Sequence, residues 1–166
     1  MRVKAIALDV DGTLTDGGFW WGEFGDELKK FSYRDVMGIS LGTKQGVRFA
    51  LISGEDSPLV DRFAAKMKIE HVYRGCKDKA LALHALSLRL DLPLSEICFM
   101  GDDVNDLPAM RIAGFSAAPA DAVPEVKAFA KFVSTCGGGN GAVRDLIDHV
   151  LSDAIPKWTL GLRVAC

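Results

Sequence analysis

Two aspartates separated by one residue, Asp9 and Asp11, follow a short apolar run, Val3 to Leu8, that only Lys4 interrupts. The run is short, apolar and bounded by turn residues, so it reads as a buried strand. Side chains at i and i+2 of a strand point the same way. Both carboxylates therefore aim at one point beyond the strand's C-terminal end, and like charges so placed repel. A divalent cation offsets that cost, and hard carboxylate oxygens suit Mg²⁺. The pair also divides two roles: one carboxylate attacks an electrophile while the other moves a proton. The bland alternative is an Asp11-Gly12 turn with solvated carboxylates.

The elements that must hold these residues alternate along the chain. After the first strand, Gly17 to Lys30 reads as a hairpin, with Phe19-Trp20-Trp21 and Leu28 to Phe31 flanking a glycine-containing turn. Asp35 to Gln45 reads as a helix ended by Gly46. Val47 to Ile52 is a second buried strand, and Ser57-Pro58 starts a helix with Ser at the N-cap and Pro at N1. His71 to Tyr73 is a short strand, Asp78 to Leu90 a helix, and Ile97 to Met100 a further strand. Leu107 to Ala113, Phe115 to Ala118, Val123 to Ala130, Phe132-Val133 and Ala142 to Leu151 continue the alternation. Such a pattern predicts an α/β fold with a mainly parallel sheet and helices on both faces. Ligands collect beyond the carboxyl ends of such strands. Three loops at such ends carry reactive-looking residues: Asp9 to Thr15, Ser53 to Glu55, and Gly101 to Asp106.

Hydrolysis of a phosphate monoester would use this inventory. Cations must neutralise the phosphoryl oxygens, a nucleophile needs in-line access, and the leaving alcohol needs a proton. Asp9 is the expected nucleophile and Asp11 the acid and then base. Asp102 adds a metal-binding oxygen from another strand end, with Asp103 and Asp106 orienting the ligands. Ser53 and Gly54 offer a hydroxyl and backbone N–H groups to phosphate oxygens. Lys79, beside Asp78 at a helix start, offsets the carboxylates as a point charge. Singly, Lys79 reads as a surface lysine and Ser53-Gly54 as a strand-exit turn; the set in this order argues otherwise.

The set Asp9-x-Asp11-Gly12-Thr13, Ser53, Lys79 and Gly101-Asp102-Asp103-x-x-Asp106 resembles the haloacid dehalogenase superfamily. That resemblance implies a Rossmann-like fold and Mg²⁺-dependent phosphoryl transfer through an aspartyl-phosphate. It also implies that the Asp11 backbone carbonyl joins Asp9 and Asp102 at the metal. Thr15-Asp16-Gly17-Gly18, Lys29-Lys30-Phe31, Gly38-Ile39, Gly75-x-x-Asp78-Lys79, Asp106-Leu107-Pro108 and Gly138-x-x-Gly141-Ala142-x-Arg144 are similar to the small capless branch. That branch includes phosphatases of 3-deoxy-octulosonate 8-phosphate and of nine-carbon ulosonate 9-phosphates. It also includes the C-terminal domain of animal sialic-acid cytidylyltransferases. Members are homotetramers in which a neighbouring subunit covers the active site, and here the hairpin would supply part of that assembly. The paired Trp20-Trp21 fits an interface.

Glu55 departs from the octulosonate phosphatases, which usually carry Arg there. With Lys66 it resembles the enzymes acting on deaminated sialic acid. Glu55 would accept bonds from sugar hydroxyls, and Arg62 and Lys66 would bind the substrate carboxylate, from the same or a neighbouring subunit. Asp35-Val36 is closer to the cytidylyltransferase-linked domains, which leaves an oligomerisation module with weak catalysis as the alternative. A response-regulator receiver also pairs a phospho-Asp with Lys and Mg²⁺, but its acidic pair precedes the phosphorylated residue.

The chain's 166 residues, 49% hydrophobic and 25% charged, fit one domain over 1–155, with a hairpin flap at 17–33 and a tail at 156–166. A net charge of -2 speaks against nucleic-acid or anionic-membrane partners and leaves room for an anionic sugar-phosphate. No stretch reads as a signal peptide or membrane span. The four cysteines show no metal-binding spacing and read as reduced thiols of a cytoplasmic protein. His71, His84 and His149 are given no chemistry. The glycine run Gly137 to Gly141 is expected as a turn before the last helix rather than a phosphate cradle.

Overall fold

A computed structural model describes residues 3–152; the expected tail, the domain end at 155 and Cys166 lie outside them. The chain runs β1 (Ala5–Leu8), β2 (Trp20–Trp21), β3 (Glu27–Leu28), α1 (Tyr33–Lys44), β4 (Arg48–Ile52), α2 (Pro58–Met67) and β5 (His71–Tyr73). It continues with α3 (Lys79–Leu90), β6 (Ile97–Met100), α4 (Leu107–Ile112), β7 (Phe115–Ala118), α5 (Pro124–Phe129), β8 (Phe132–Val133) and α6 (Ala142–Ser152). Short 3-10 turns at Leu94–Glu96 and Val104–Asp106, which lack a pattern long enough to read, precede β6 and α4.

A six-stranded parallel sheet has the order β5-β4-β1-β6-β7-β8. The chain winds outward from β1 through β4 to β5, then returns to β6 on β1's other side. The strand order reverses at β1, which marks the crevice where open α/β sheets bind ligands. The period of two explains why β1 is apolar throughout. Ile6 and Leu8 pack with Ile39, Val143, Leu146 and Ile147 of α1 and α6, while Ala5 and Ala7 face the layer of Leu83 and Leu86 from α3. Cys98 is buried in β6, and burial pushes its thiol up, as expected for an inert core residue.

Caps fix the helix starts. Ser57 Oγ accepts the Leu59 N–H (3.3 Å) with Pro58 at the first position of α2, and Asp78 Oδ1 accepts the Leu81 N–H (3.0 Å) to start α3. Ser32 does the same for α1 through the Arg34 N–H (3.2 Å), so that helix starts at Tyr33 rather than Asp35. Asp35 is instead buried inside α1 and accepts the N–H groups of Gly141 (3.2 Å) and Arg144 (2.8 Å), capping α6 from across the core. Its carboxyl is raised by burial, against the pull of those N–H groups.

The antiparallel β2–β3 hairpin pairs with no strand of the main sheet. It stands on a bridge between Thr15 and Phe31 and on Phe31 stacked against Phe63 (4.5 Å between centroids). Trp20, Trp21, Phe24 and Leu28 are all exposed, an apolar surface unusual for a lone chain. No helix among the described residues is long and apolar enough to cross a membrane.

Candidate active site

β1 ends at Leu8, and the Asp9 N–H donates to Met100 O (2.9 Å), so the first aspartate closes the ladder between β1 and β6. Val10 O then accepts from Leu14 (2.9 Å) and Thr15 (3.0 Å), folding Asp11 to Leu14 into a turn. Gly12 sits there at φ +89°, and a Cβ on it would overlap the Asp102 carboxylate. Glycine thus lets the β1 loop and the β6 loop close on each other.

Asp106 is wholly buried and uses both oxygens: Oδ1 accepts from Lys79 Nζ (2.6 Å), and Oδ2 accepts the N–H groups of Asp102 (2.9 Å) and Asp103 (3.2 Å). Lys79 Nζ also donates to Asp9 Oδ1 (2.6 Å). Asp9, Asp102 and Asp106 each offer an oxygen within 4.8 Å of the others. Three carboxylates therefore face one ammonium. Burial first, and the charge of Asp106 second, hold the Asp9 carboxyl well above the usual range, against the pull of Lys79. The same two causes push Asp102 up to about 6. Burial disfavours the Lys79 ammonium, but the charges of Asp9 and Asp106 outweigh it and raise its pKa to about 12.

The donor set fits a hard divalent cation. The surplus negative charge is compressed at one point, and the remaining donors are carboxylate oxygens. Asp106 has committed both of its oxygens to Lys79 and the backbone, so Asp9 and Asp102 are the side chains left to hold an ion. Asp106 ties Lys79 to the backbone of Asp102 and Asp103.

A cleft of about 180 Å³ opens over this cluster, lined by Asp9, Asp11, Lys79 and Asp102 and walled by Gly54, Glu55, Asp103 and Asn105. Ser53 is buried just behind it, its Oγ accepting the Glu55 N–H (3.1 Å), so Gly54 and Glu55 face the cleft in its place. Arg62 and Lys66 are elsewhere. One turn apart on α2, they share a face that lines a second groove of about 280 Å³ with Lys29, Phe31 and Tyr33, where Lys66 Nζ lies 4.8 Å from the Tyr33 ring centroid. Within one chain the expected substrate set of Glu55, Arg62 and Lys66 is split between two surfaces.

Sequence reasoning gave no role to Lys29, which lies at the foot of the hairpin and is only 7% exposed. Its Nζ is 2.8 Å from Asp11 Oδ1 and 3.4 Å from Glu27 Oε1. Burial disfavours its ammonium, yet the bonds to Asp11 and Glu27 leave its pKa raised. Its one sequence signal was the Lys29-Lys30-Phe31 motif. Asn105 was missed as well, although it lies inside the Gly101-to-Asp106 motif. The glycine run is no phosphate cradle. Gly138 packs so closely on the Asp9-to-Thr15 loop that a Cβ there would overlap Gly12 O, and the Gly139 N–H donates to Thr13 O (3.1 Å).

A model of haloacid dehalogenase-like hydrolases matches residues 63–144, and the chain is 37% identical over 150 residues to the 3-deoxy-D-manno-octulosonate 8-phosphate phosphatase KdsC of Escherichia coli K12, covering 90% of this chain and 80% of that one. The chain belongs to the haloacid dehalogenase-like hydrolase family. Among solved members, the octulosonate 8-phosphate phosphatase of Moraxella catarrhalis, in complex with magnesium, phosphate and KDO, superposes with a TM-score of 0.87 at 37% identity, covering 90% of this chain and 86% of that one. A hypothetical protein from Xanthomonas campestris superposes at 0.90 with 34% identity, over 99% and 90% of the two chains. Membership makes the chain an enzyme and accounts for the doubly wound sheet. The relatives from Escherichia coli and Moraxella catarrhalis are phosphatases.

Proposed function

We propose that the chain is a Mg²⁺-dependent phosphatase of a 3-deoxy-2-ulosonic acid phosphate. The observation that carries this is the buried bond of Lys79 to both Asp9 and Asp106, with Asp11 and Asp102 in the same cleft. Asp9 attacks phosphorus through the oxygen that Lys79 leaves free, while Asp11 gives its proton to the departing alkoxide. Asp11, now a carboxylate, takes a proton from the water that splits the aspartyl-phosphate, and Asp9 is regenerated. Mg²⁺, held by Asp9, Asp102 and the Asp11 carbonyl, would neutralise the phosphoryl oxygens. Lys79 and the Gly54 N–H favour the phosphate's remaining charge.

The similarity to octulosonate phosphatases favours the eight-carbon sugar acid. Glu55, on the cleft wall, favours a second reading, a nine-carbon ulosonate 9-phosphate whose extra hydroxyls it would accept bonds from. The exposed aromatic hairpin fits a homotetramer in which a neighbour covers the cleft and brings Arg62 and Lys66 to the substrate carboxylate. Phosphate release with Mg²⁺ from octulosonate 8-phosphate, deaminated neuraminate 9-phosphate and N-acetylneuraminate 9-phosphate, with Asp9→Asn as the control, tests the reading. Turnover of one of them well above that control is expected. None above it would favour an assembly module associated with a sugar-acid cytidylyltransferase.

A further inference from the structure

We propose that Lys29 is the positioning residue for Asp11, so that the foot of the hairpin sets the geometry of proton transfer. This rests on the reading of Asp11 as the proton carrier. Asp11 lies in a turn, beyond the last ladder bond of β1, and its side chain has no secondary structure to fix it. A carboxylate on a turn samples several staggered rotamers. Among the described residues, Lys29 is the one group that bonds it, through Oδ1 at 2.8 Å. The bond leaves the other Asp11 oxygen to carry a proton into the cleft.

Lys79 cannot do this work, because its bonds go to Asp9 and Asp106. The site thus holds two nearly buried ammonium groups with separate tasks, one for the nucleophile and one for the acid. Lys29 is itself well anchored. Glu27 holds it from the hairpin, Lys30 beside it bonds Asn140 (2.7 Å), and Phe31 stacks on Phe63. An exposed ion pair would contribute little; here Lys29 is only 7% exposed, while Asp11 at 30% stays open to the cleft, so the pair is shielded from water on the Lys29 side.

The step balances simply. As the P–O bond to the leaving group breaks, its electron pair goes to that oxygen, which takes the Asp11 proton. Negative charge then appears on the Asp11 carboxylate, where the Lys29 ammonium offsets it. In the second half the carboxylate takes the proton back from water as the new P–O bond forms and the bond from phosphorus to Asp9 breaks, its electron pair returning to the Asp9 carboxylate.

The test is the dependence of kcat/KM on leaving-group acidity, from p-nitrophenyl to phenyl phosphate, with saturating Mg²⁺ and the full chain. A phenolate that leaves unaided needs no acid; phenol does. Lys29→Met should cost phenyl phosphate at least about tenfold more than p-nitrophenyl phosphate, and Lys29→Arg should restore most of the difference. Asp11→Asn should show the same steepening, and adding Lys29→Met to it should change nothing further. A thermal melt establishes that each variant is folded. Equal losses on both substrates for Lys29→Met, beside a steepened Asp11→Asn, would overturn the proposal alone. An Asp11→Asn variant with unchanged steepness would overturn the role of Asp11 and the proposal with it.

Discussion

The ammonium of Lys79 and the carboxylate of Asp106 meet 2.6 Å apart with neither side chain more than 3% exposed. Charges so deeply buried are stable only as a set. Asp106→Ala would leave the Asp102 and Asp103 N–H groups without their acceptor and Lys79 with one partner fewer. Breaking such a network costs about 3 kcal/mol or more, and urea unfolding should read that loss as a lower midpoint at unchanged slope.

Asp9 illustrates the opposite case. Burial and the charge of Asp106 raise its carboxyl, so its ionised form is disfavoured in the folded protein. Asp9→Asn should abolish turnover yet melt at least about 3 °C above the parent in EDTA near pH 7.5. The gain should shrink as pH falls and the parent's own Asp9 takes up a proton. A variant that melts lower than the parent throughout would mean that the Lys79–Asp9 bond outweighs the repulsion.

Asp102 gives a pH window. Its pKa rises from an ordinary 3.8 to about 6, so the folded state binds more protons than the unfolded chain between those values. Stability of the metal-free protein from this group therefore falls as pH rises through that window. Mg²⁺ competes with the same proton, so its affinity should weaken as pH falls through about 6. Calorimetric titration from pH 5 to 8 checks this, and an affinity constant across that range would refute it.

Gly138→Ala should impair catalysis without touching the cleft. The new methyl group overlaps Gly12 O and must push the loop that carries Asp9 and Asp11. Displacements of this kind cost about 100-fold in kcat. Steady-state kinetics with circular dichroism would show a folded but slow enzyme, whereas full activity would mean that the loop yields elsewhere.

The hairpin aromatics are predicted to hold the proposed tetramer. Trp20→Ser with Trp21→Ser removes the exposed rings whose burial between chains would stabilise it. Light scattering should report a fall from four chains to fewer, with lower activity if a neighbour does cover the cleft.

The four inner strands of the sheet, β4, β1, β6 and β7, were legible because they are buried on both faces, which writes near-continuous apolar runs such as Val47 to Ile52. The loops that bring Asp9, Asp11 and Asp102 into one cleft were legible because their residues sit side by side at strand ends. Three features had no local signature of what they do. Asp35 looked like the start of its own helix, because nothing near it reports that α6 lies across the core. Gly138 looked like part of a turn, because backbone pressed on backbone leaves only a missing side chain as its trace. Lys29 meets Asp11 through the placement of a flap without period.

The Asp9 N–H, bonded to Met100 O at the end of a central strand, couples the proposed nucleophile to the interior of the sheet. Amide exchange there requires opening of the sheet itself, whereas the hairpin, tethered at its foot, is free to open by local fluctuation. The backbone of Asp9 thus belongs to the last cooperative unit to melt, and the hairpin tip beyond Lys29 to one of the first. On warming, exchange in the flap should rise well before the amide of Asp9 begins to exchange.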